Sequence, residues 1–202
     1  MEGPQIMKGT LDTQYDAIIN YSYGIFRDKL ADYGPNWLLL RPASLVDDIW
    51  RKVRRIRTLE EHGGVRKIDE GRDVEFVGVI NYSLIYLIQH SGFPGIPSAE
   101  EVLRDLSVLD RIRTQDILDA YQKAAAQVKE LLLKKNFDYG DAWKSMEPCS
   151  LTDQVVVRVC RVKSLLAKGG AKVSDGVDAQ LMDIINFSVF ALIRMDSPLF
   201  GI

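Results

Sequence analysis

Residues 136–153 read NFDYGDAWKSMEPCSLTD, and residues 30–47 read LADYGPNWLLLRPASLVD. Asp-Tyr-Gly, Trp, Pro, Ser-Leu and Asp recur in the same order and spacing, 106 positions apart. The correspondence continues: Arg55, Leu59 and Gly63-Gly64 return as Arg161, Leu165 and Gly169-Gly170. One residue is then lost. Beyond it Gly71, Asp73, Ile80, Asn81, Ser83, Leu87 and Ile88 match Gly176, Asp178, Ile185, Asn186, Ser188, Leu192 and Ile193 at an offset of 105. That many coincidences with a single gap mark a tandem duplication.

Each copy reads as three helices. The first spans about 12–30 and 115–135 and stops before Asp-Tyr-Gly, where glycine permits a chain reversal. The second opens at Ser44 and Ser150, each followed three positions on by an acid, Asp47 or Asp153, in the manner of a capping box. It ends at the Gly-Gly pairs, with His62 and Lys168 suiting the helix dipole. The third, about 69–90 and 174–195, is apolar on nearly all sides and belongs in the centre of a bundle. Ser98-Ala99-Glu100-Glu101 opens a connecting helix. The expected fold is all-α: a pseudo-twofold helical bundle of two three-helix units plus a connecting helix. The first repeat is placed at 11–91, the connector at 92–113 and the second repeat at 114–196, the repeats packed as one compact domain.

With 202 residues, 47% hydrophobic, 27% charged and a net charge of −2, the chain has the balance of a globular protein and no general electrostatic pull toward nucleic acid. Both cysteines, Cys149 and Cys160, lie in the second copy, so no disulfide framework repeats with the fold. The N-terminus lacks the pattern of a signal peptide, and the apolar run from Phe76 to Ile88 is too short to span a bilayer. A cytoplasmic protein without membrane or nucleic-acid partners is expected, and further homo-oligomerisation stays open. The Gly-Gly pairs follow helices rather than precede them, so no phosphate loop is present, and His62 and His90 give little basis for a histidine triad. No catalytic residue can be named.

Three sets of side chains have the chemistry of a site. Glu70 and Asp73 are three apart, as are Asp175 and Asp178, and one helix face carrying such a pair can hold a divalent cation through oxygen. Asp183 adds an inward acid in the second copy, where the first has Gly78. The same acids suit a helix N-terminus without any metal. Lys52 and Arg55 match Arg158 and Arg161 and can grip phosphate, or else form a solvated face. Tyr33, Trp37, Tyr139 and Trp143 can stack on a base, or else plug the end of the bundle. Asn81 and Asn186 sit in the most apolar segments and need partners there; a hydrogen bond between the central helices is the expectation.

The run from Lys135 to Trp143, then Ser150-Leu151-Thr152-Asp153, then Arg158 and Arg161-Val162, resembles the family called nucleotide modification associated domain 1. The stretch from Asp175-Gly176 to Asn186-Phe187 fits as well. The first copy resembles it through Asp32-Tyr33-Gly34, Trp37, Ser44, Asp47, Lys52 and Arg55-Ile56. A looser similarity is to all-α nucleotide pyrophosphohydrolases of the MazG and dimeric dUTPase type, which bind magnesium on Glu-x-x-Glu and Glu-x-x-Asp motifs. Glu70 with Asp73 and Asp175 with Asp178 resemble the second motif. The first motif is not present: its place on the second helix holds only Asp47 or Asp153, and Glu60 and Glu61, which could substitute, give way to Leu166 and Ala167 in the second copy. These resemblances imply a nucleotide as ligand and Mg2+ as cofactor. They leave two readings: a metal-dependent nucleoside triphosphate pyrophosphohydrolase, or a non-catalytic helical module binding a nucleotide or a protein.

Overall fold

In a computed structural model, residues 9–65, 67–169, 176–195 and 199 are described. They form eight α-helices and two short 3₁₀ turns, with no strand among the described residues. The first copy contributes α1 (Leu11–Tyr33), α2 (Pro42–Glu61) and α3 (Arg72–His90). The connector holds α4 (Ala99–Arg104) and α5 (Val108–Arg111). The second copy contributes α6 (Thr114–Tyr139), α7 (Pro148–Lys168) and α8 (Val177–Met195). The 3₁₀ turns, Asn36–Leu39 and Ala142–Ser145, occupy the same place in each copy.

The central helices are buried on nearly every side, as their composition requires. Val79, Ile80, Leu84 and Ile88 of α3 and Leu181, Ile184, Ile185 and Val189 of α8 are each fully inaccessible to solvent. Burying such a side chain contributes about 1.5–3 kcal/mol. Helix α3 packs along α8, α2 along α7, and α1 against α6. One apolar core runs through both copies.

The pseudo-twofold relation extends to side chains. Lys163 reaches Asp47 at 2.6 Å, and its counterpart Arg57 reaches Asp153 at 3.5 Å. These pairs are exposed and worth about 0–1 kcal/mol each, so they fix register more than they add stability. The two acids therefore bridge copies and do not cap their own helices. Tyr15 donates to the Ala125 carbonyl at 2.8 Å, and Tyr121 stacks on Phe26 with centroids 4.7 Å apart.

The helix boundaries depart from the sequence reading in physically interpretable ways. Asp32-Tyr33 and Asp138-Tyr139 continue the first helices by a turn, and the reversal falls on Gly34 and Gly140, both at positive φ. Helices α2 and α7 start two residues before the serines, at Pro42 and Pro148, each the first helical residue. Proline suits that position because its φ is preset and the missing N–H would have no intrahelical partner. Ser44 and Ser150 are thereby third in the helix, and neither helix has a side-chain cap. Ser44→Ala and Ser150→Ala should each change stability by less than about 0.5 kcal/mol in thermal melts. Ser98 does form a capping box with Glu101. Ser98→Ala should cost about 1 kcal/mol of α4 stability, read from amide hydrogen exchange in that helix.

Helix α3 begins at Arg72, so Glu70 precedes the helix and does not share a face with Asp73. Asp175 lies outside the described residues.

Candidate functional site

Two cavities open where the end of the first helix and the 3₁₀ turn of a copy meet its second and third helices. The first is about 570 Å³ and the second about 340 Å³. All twelve residues lining the second have their repeat counterparts lining the first. Lys135 answers to Lys29, Trp143 to Trp37, Arg158 to Lys52, Asn186 to Asn81, Phe187 to Tyr82 and Phe190 to Ile85. The cavity is thus kept at corresponding positions in both halves and belongs to the repeated unit.

The aromatic residues expected at the base fall here. Trp37 and Tyr33 line the first cavity, Trp143 and Tyr139 the second. The Trp143 ring stacks on Phe190 at 4.5 Å and 7°. Its Nε1 donates to Asn136 Oδ1 at 3.0 Å. In the first copy Leu30 replaces Asn136, and the buried Trp37 Nε1 has no acceptor.

The cations divide. Lys52 lines the first cavity, its ammonium 5.9 Å from the centre of the Tyr82 ring, and Arg158 lines the second, its guanidinium 4.3 Å from the centre of Phe187. Arg55 is drawn aside to Glu75 and to Glu70, the latter at 3.5 Å. Arg161 is exposed and lines neither cavity. The reason lies on the third helix. Glu75, whose side chain is only 6% exposed, takes both Arg55 and Lys52, the latter at 3.2 Å. Gln180 stands at that position in the second copy and offers no charge to Arg161.

The second copy carries its acid one turn further along, at Asp183. That carboxylate accepts from Lys135 Nζ at 2.6 Å and Arg158 Nε at 3.2 Å. In the first copy Gly78 stands there and Lys52 lies across it: a Cβ on Gly78 would sit 2.5 Å from Lys52 Cε, so the end of that side chain would have to shift. The first cavity is lined by Lys29, Arg51 and Lys52, with Glu70 as its one lining acid, and Lys52 is held by Glu75 at 3.2 Å and Arg51 by Asp48 at 2.9 Å. The second has an acid bound between its two cations.

The remaining acids do not join these groups. Asp73 accepts from the Val74 N–H at 2.9 Å and lines neither cavity. Asp178 accepts from Ser91 Oγ at 2.9 Å and lines a separate cavity between α3, α6 and α8. Among the described residues no three acid, histidine or cysteine side chains gather in a way that could hold a metal. Glu60 joins the copies, accepting from Thr152 at 2.8 Å and pairing with Arg72 at 3.4 Å. Burial pushes its carboxyl up, against the pull of Thr152 and Arg72.

The two asparagines differ sharply. Asn81 Nδ2 donates to the Ser22 carbonyl at 3.1 Å, and its Oδ1 accepts from Tyr121 at 2.7 Å. Burial pushes the Tyr121 phenol well up, keeping it a neutral donor. These partners come from α1 and α6, not from the facing central helix. Asn186 has no such arrangement. Tyr15, the counterpart of Tyr121, gives its hydroxyl to Ala125, and Asn186 Oδ1 is buried without a partner.

Lys29, Lys135, Arg51, Tyr82, Phe187, Phe190 and Glu75 were not expected in this role. Lys29 and Lys135 repeat at the same offset as the rest, which is the signal that could have found them. Tyr82 and Phe187 were hidden in segments that read as uniform core.

Neither the curated proteins nor the solved structures yield a match to the chain, and the looser similarity to MazG-type pyrophosphohydrolases finds no support. The family model for nucleotide modification associated domain 1 matches twice, over residues 29–90 and 135–195. The two matches begin at the paired cavity lysines and together span more than half of the chain. With both copies matched, the chain belongs to the nucleotide modification associated domain 1 family and carries its domain in tandem.

Proposed function

We propose that the chain binds a nucleotide in the first cavity, phosphate on its cations and base against its aromatic side chains. The observation that carries this reading is the repeated cavity itself, with cations and aromatic rings at corresponding positions in both copies. Lys29, Arg51 and Lys52 supply charge-assisted donors suited to phosphate oxygens. A volume of about 570 Å³ is within the usual range of small-molecule sites. The family name, with its association to nucleotide modification, points the same way.

A nucleoside triphosphate at about a hundred times its dissociation constant should stabilise the fold by roughly 2.7 kcal/mol. The test is a thermal-shift panel of nucleoside mono-, di- and triphosphates. Lys52→Gln should remove the response. A panel without any shift, or a variant that responds like the parent, would end this reading.

Pyrophosphohydrolysis is a second reading, supported by one carboxylate at each cavity, Glu70 at the first and Asp183 at the second. Mg2+ is commonly held by one or two carboxylates together with substrate phosphates, so a closed protein cage is not required. The chemistry the ion supplies when bound is polarisation of a phosphoryl oxygen and activation of water. Lys52 and Arg51 would hold the phosphate, while Arg55 orients Glu70 through its carboxylate and its carbonyl oxygen. Pyrophosphate release that needs magnesium and falls in Glu70→Gln would establish catalysis. Binding without release would leave a non-catalytic nucleotide module.

A further inference from the structure

The wall of the first cavity is braced from outside its own copy. Every residue lining it belongs to the first copy, from Ile25 to Ile85. Behind two of them stands Tyr121 of α6, a second-copy residue that is fully inaccessible to solvent. Its hydroxyl donates to Asn81 Oδ1 at 2.7 Å. Its ring stacks on Phe26, with centroids 4.7 Å apart and planes 25° from parallel. Phe26 in turn lies 6.5 Å from the Trp37 ring, tilted by 50°. A series of contacts thus runs from the second copy through Phe26 to Trp37, and directly to Asn81.

We infer that Tyr121 is a positioning residue of the first cavity, so that the nucleotide site of the first copy is complete only in the tandem chain. This rests on the nucleotide reading above and adds to it the part played by the second copy. Stacked rings hold each other beyond what their burial alone contributes. In a close-packed interior a shift at Tyr121 is passed to Phe26 and on to Trp37. Asn81 carries two amide N–H donors and spends one on the Ser22 carbonyl at 3.1 Å. With its Oδ1 held by Tyr121, the amide is kept from turning over, and the direction of the second N–H is set with it. A wall fixed in this way before the ligand arrives has less ordering to do on binding.

Comparison of the halves separates this arrangement from ordinary core packing. Tyr15 holds the place of Tyr121 in the other half and is just as deeply buried, yet its hydroxyl goes to the Ala125 carbonyl, which lines neither cavity. Leu132 stands where Phe26 would pass the contact on. Trp143 is braced by Phe190 of its own copy instead. Support of a cavity wall by the buried tyrosine of the other copy therefore runs one way, toward the first cavity.

The test is calorimetric titration of the full chain with ATP, GTP, CTP and UTP, at a temperature well below the melting point of every variant. Tyr121→Phe keeps the ring and removes the hydroxyl. It should weaken binding of the tightest triphosphate by roughly three- to tenfold. Tyr15→Phe removes an equally buried hydroxyl from the corresponding place and should bind like the parent, which sets apart the cost to stability from the effect on the site. In the parent, saturation with that triphosphate should shift the NMR signals of the Asn81 side-chain amide. Parent-like affinity in Tyr121→Phe, an equal loss in Tyr15→Phe, or an Asn81 amide that does not respond would each overturn the proposal and leave the nucleotide reading standing. Absence of triphosphate binding by the parent would end both.

Discussion

Gly78→Asp should weaken nucleotide binding at the first cavity by about tenfold or more. The substitution installs the second copy's acid in the first. Its Cβ would lie 2.5 Å from Lys52 Cε, so the flexible end of Lys52 must shift. The displaced ammonium can pair with the new carboxylate, which competes with phosphate for its donors. Losing one charge-assisted hydrogen bond corresponds to about 1.5–3 kcal/mol, or roughly tenfold to a hundredfold in affinity. The new negative charge adds repulsion to that loss. Gly78→Ala separates the two effects, because it displaces Lys52 without adding charge. Titration of a nucleoside triphosphate into both variants should give the order parent, Ala, Asp from tightest to weakest. Equal affinities across the three would remove Lys52 and its place over Gly78 from the site.

The same substitution at the two repeat-related asparagines should have opposite consequences. Asn81→Leu leaves the Tyr121 hydroxyl in the core with its partner gone, while the Ser22 carbonyl keeps its bond within α1. The stranded hydroxyl costs about 1–3 kcal/mol, a sizeable share of the roughly 5–15 kcal/mol that hold a domain together. Asn186→Leu instead removes an oxygen that is already without a partner, and stability should hold or rise. Urea unfolding of both variants measures the difference directly. Similar losses at both sites would mean that Asn186 has a structural partner as important as Tyr121 is to Asn81.

Much of the fold was legible because it depends on local pattern. The duplication, the three helices per copy and the central position of α3 and α8 follow from spacing, glycine and unbroken apolarity. The starts of α2 and α7 were misplaced because Ser-x-x-Asp and Pro42 or Pro148 compete as start signals, and proline in the first helical position prevailed. The candidate site was legible by residue type more than by partner. Trp37, Trp143, Lys52, Arg158 and Asp183 reach the cavities, whereas Arg55 is claimed by Glu75, an acid concealed in an apolar run. The Lys135–Asp183 contact joins residues 48 apart, and Tyr121 meets Asn81 across 40. Such pairings depend on how helices from different parts of the chain come together, which no local window of sequence contains.

Two identical subunits around a twofold axis must carry every substitution twice, so their sites cannot become different from one another. Joining the copies through the 92–113 segment lifts that restriction. Glycine at 78 can face Lys52 while aspartate at 183 faces Arg158, and Tyr121 can secure Asn81 while Tyr15 leaves Asn186 open. The shared core stays symmetric in packing, and the chemistry of the two cavities is free to part company.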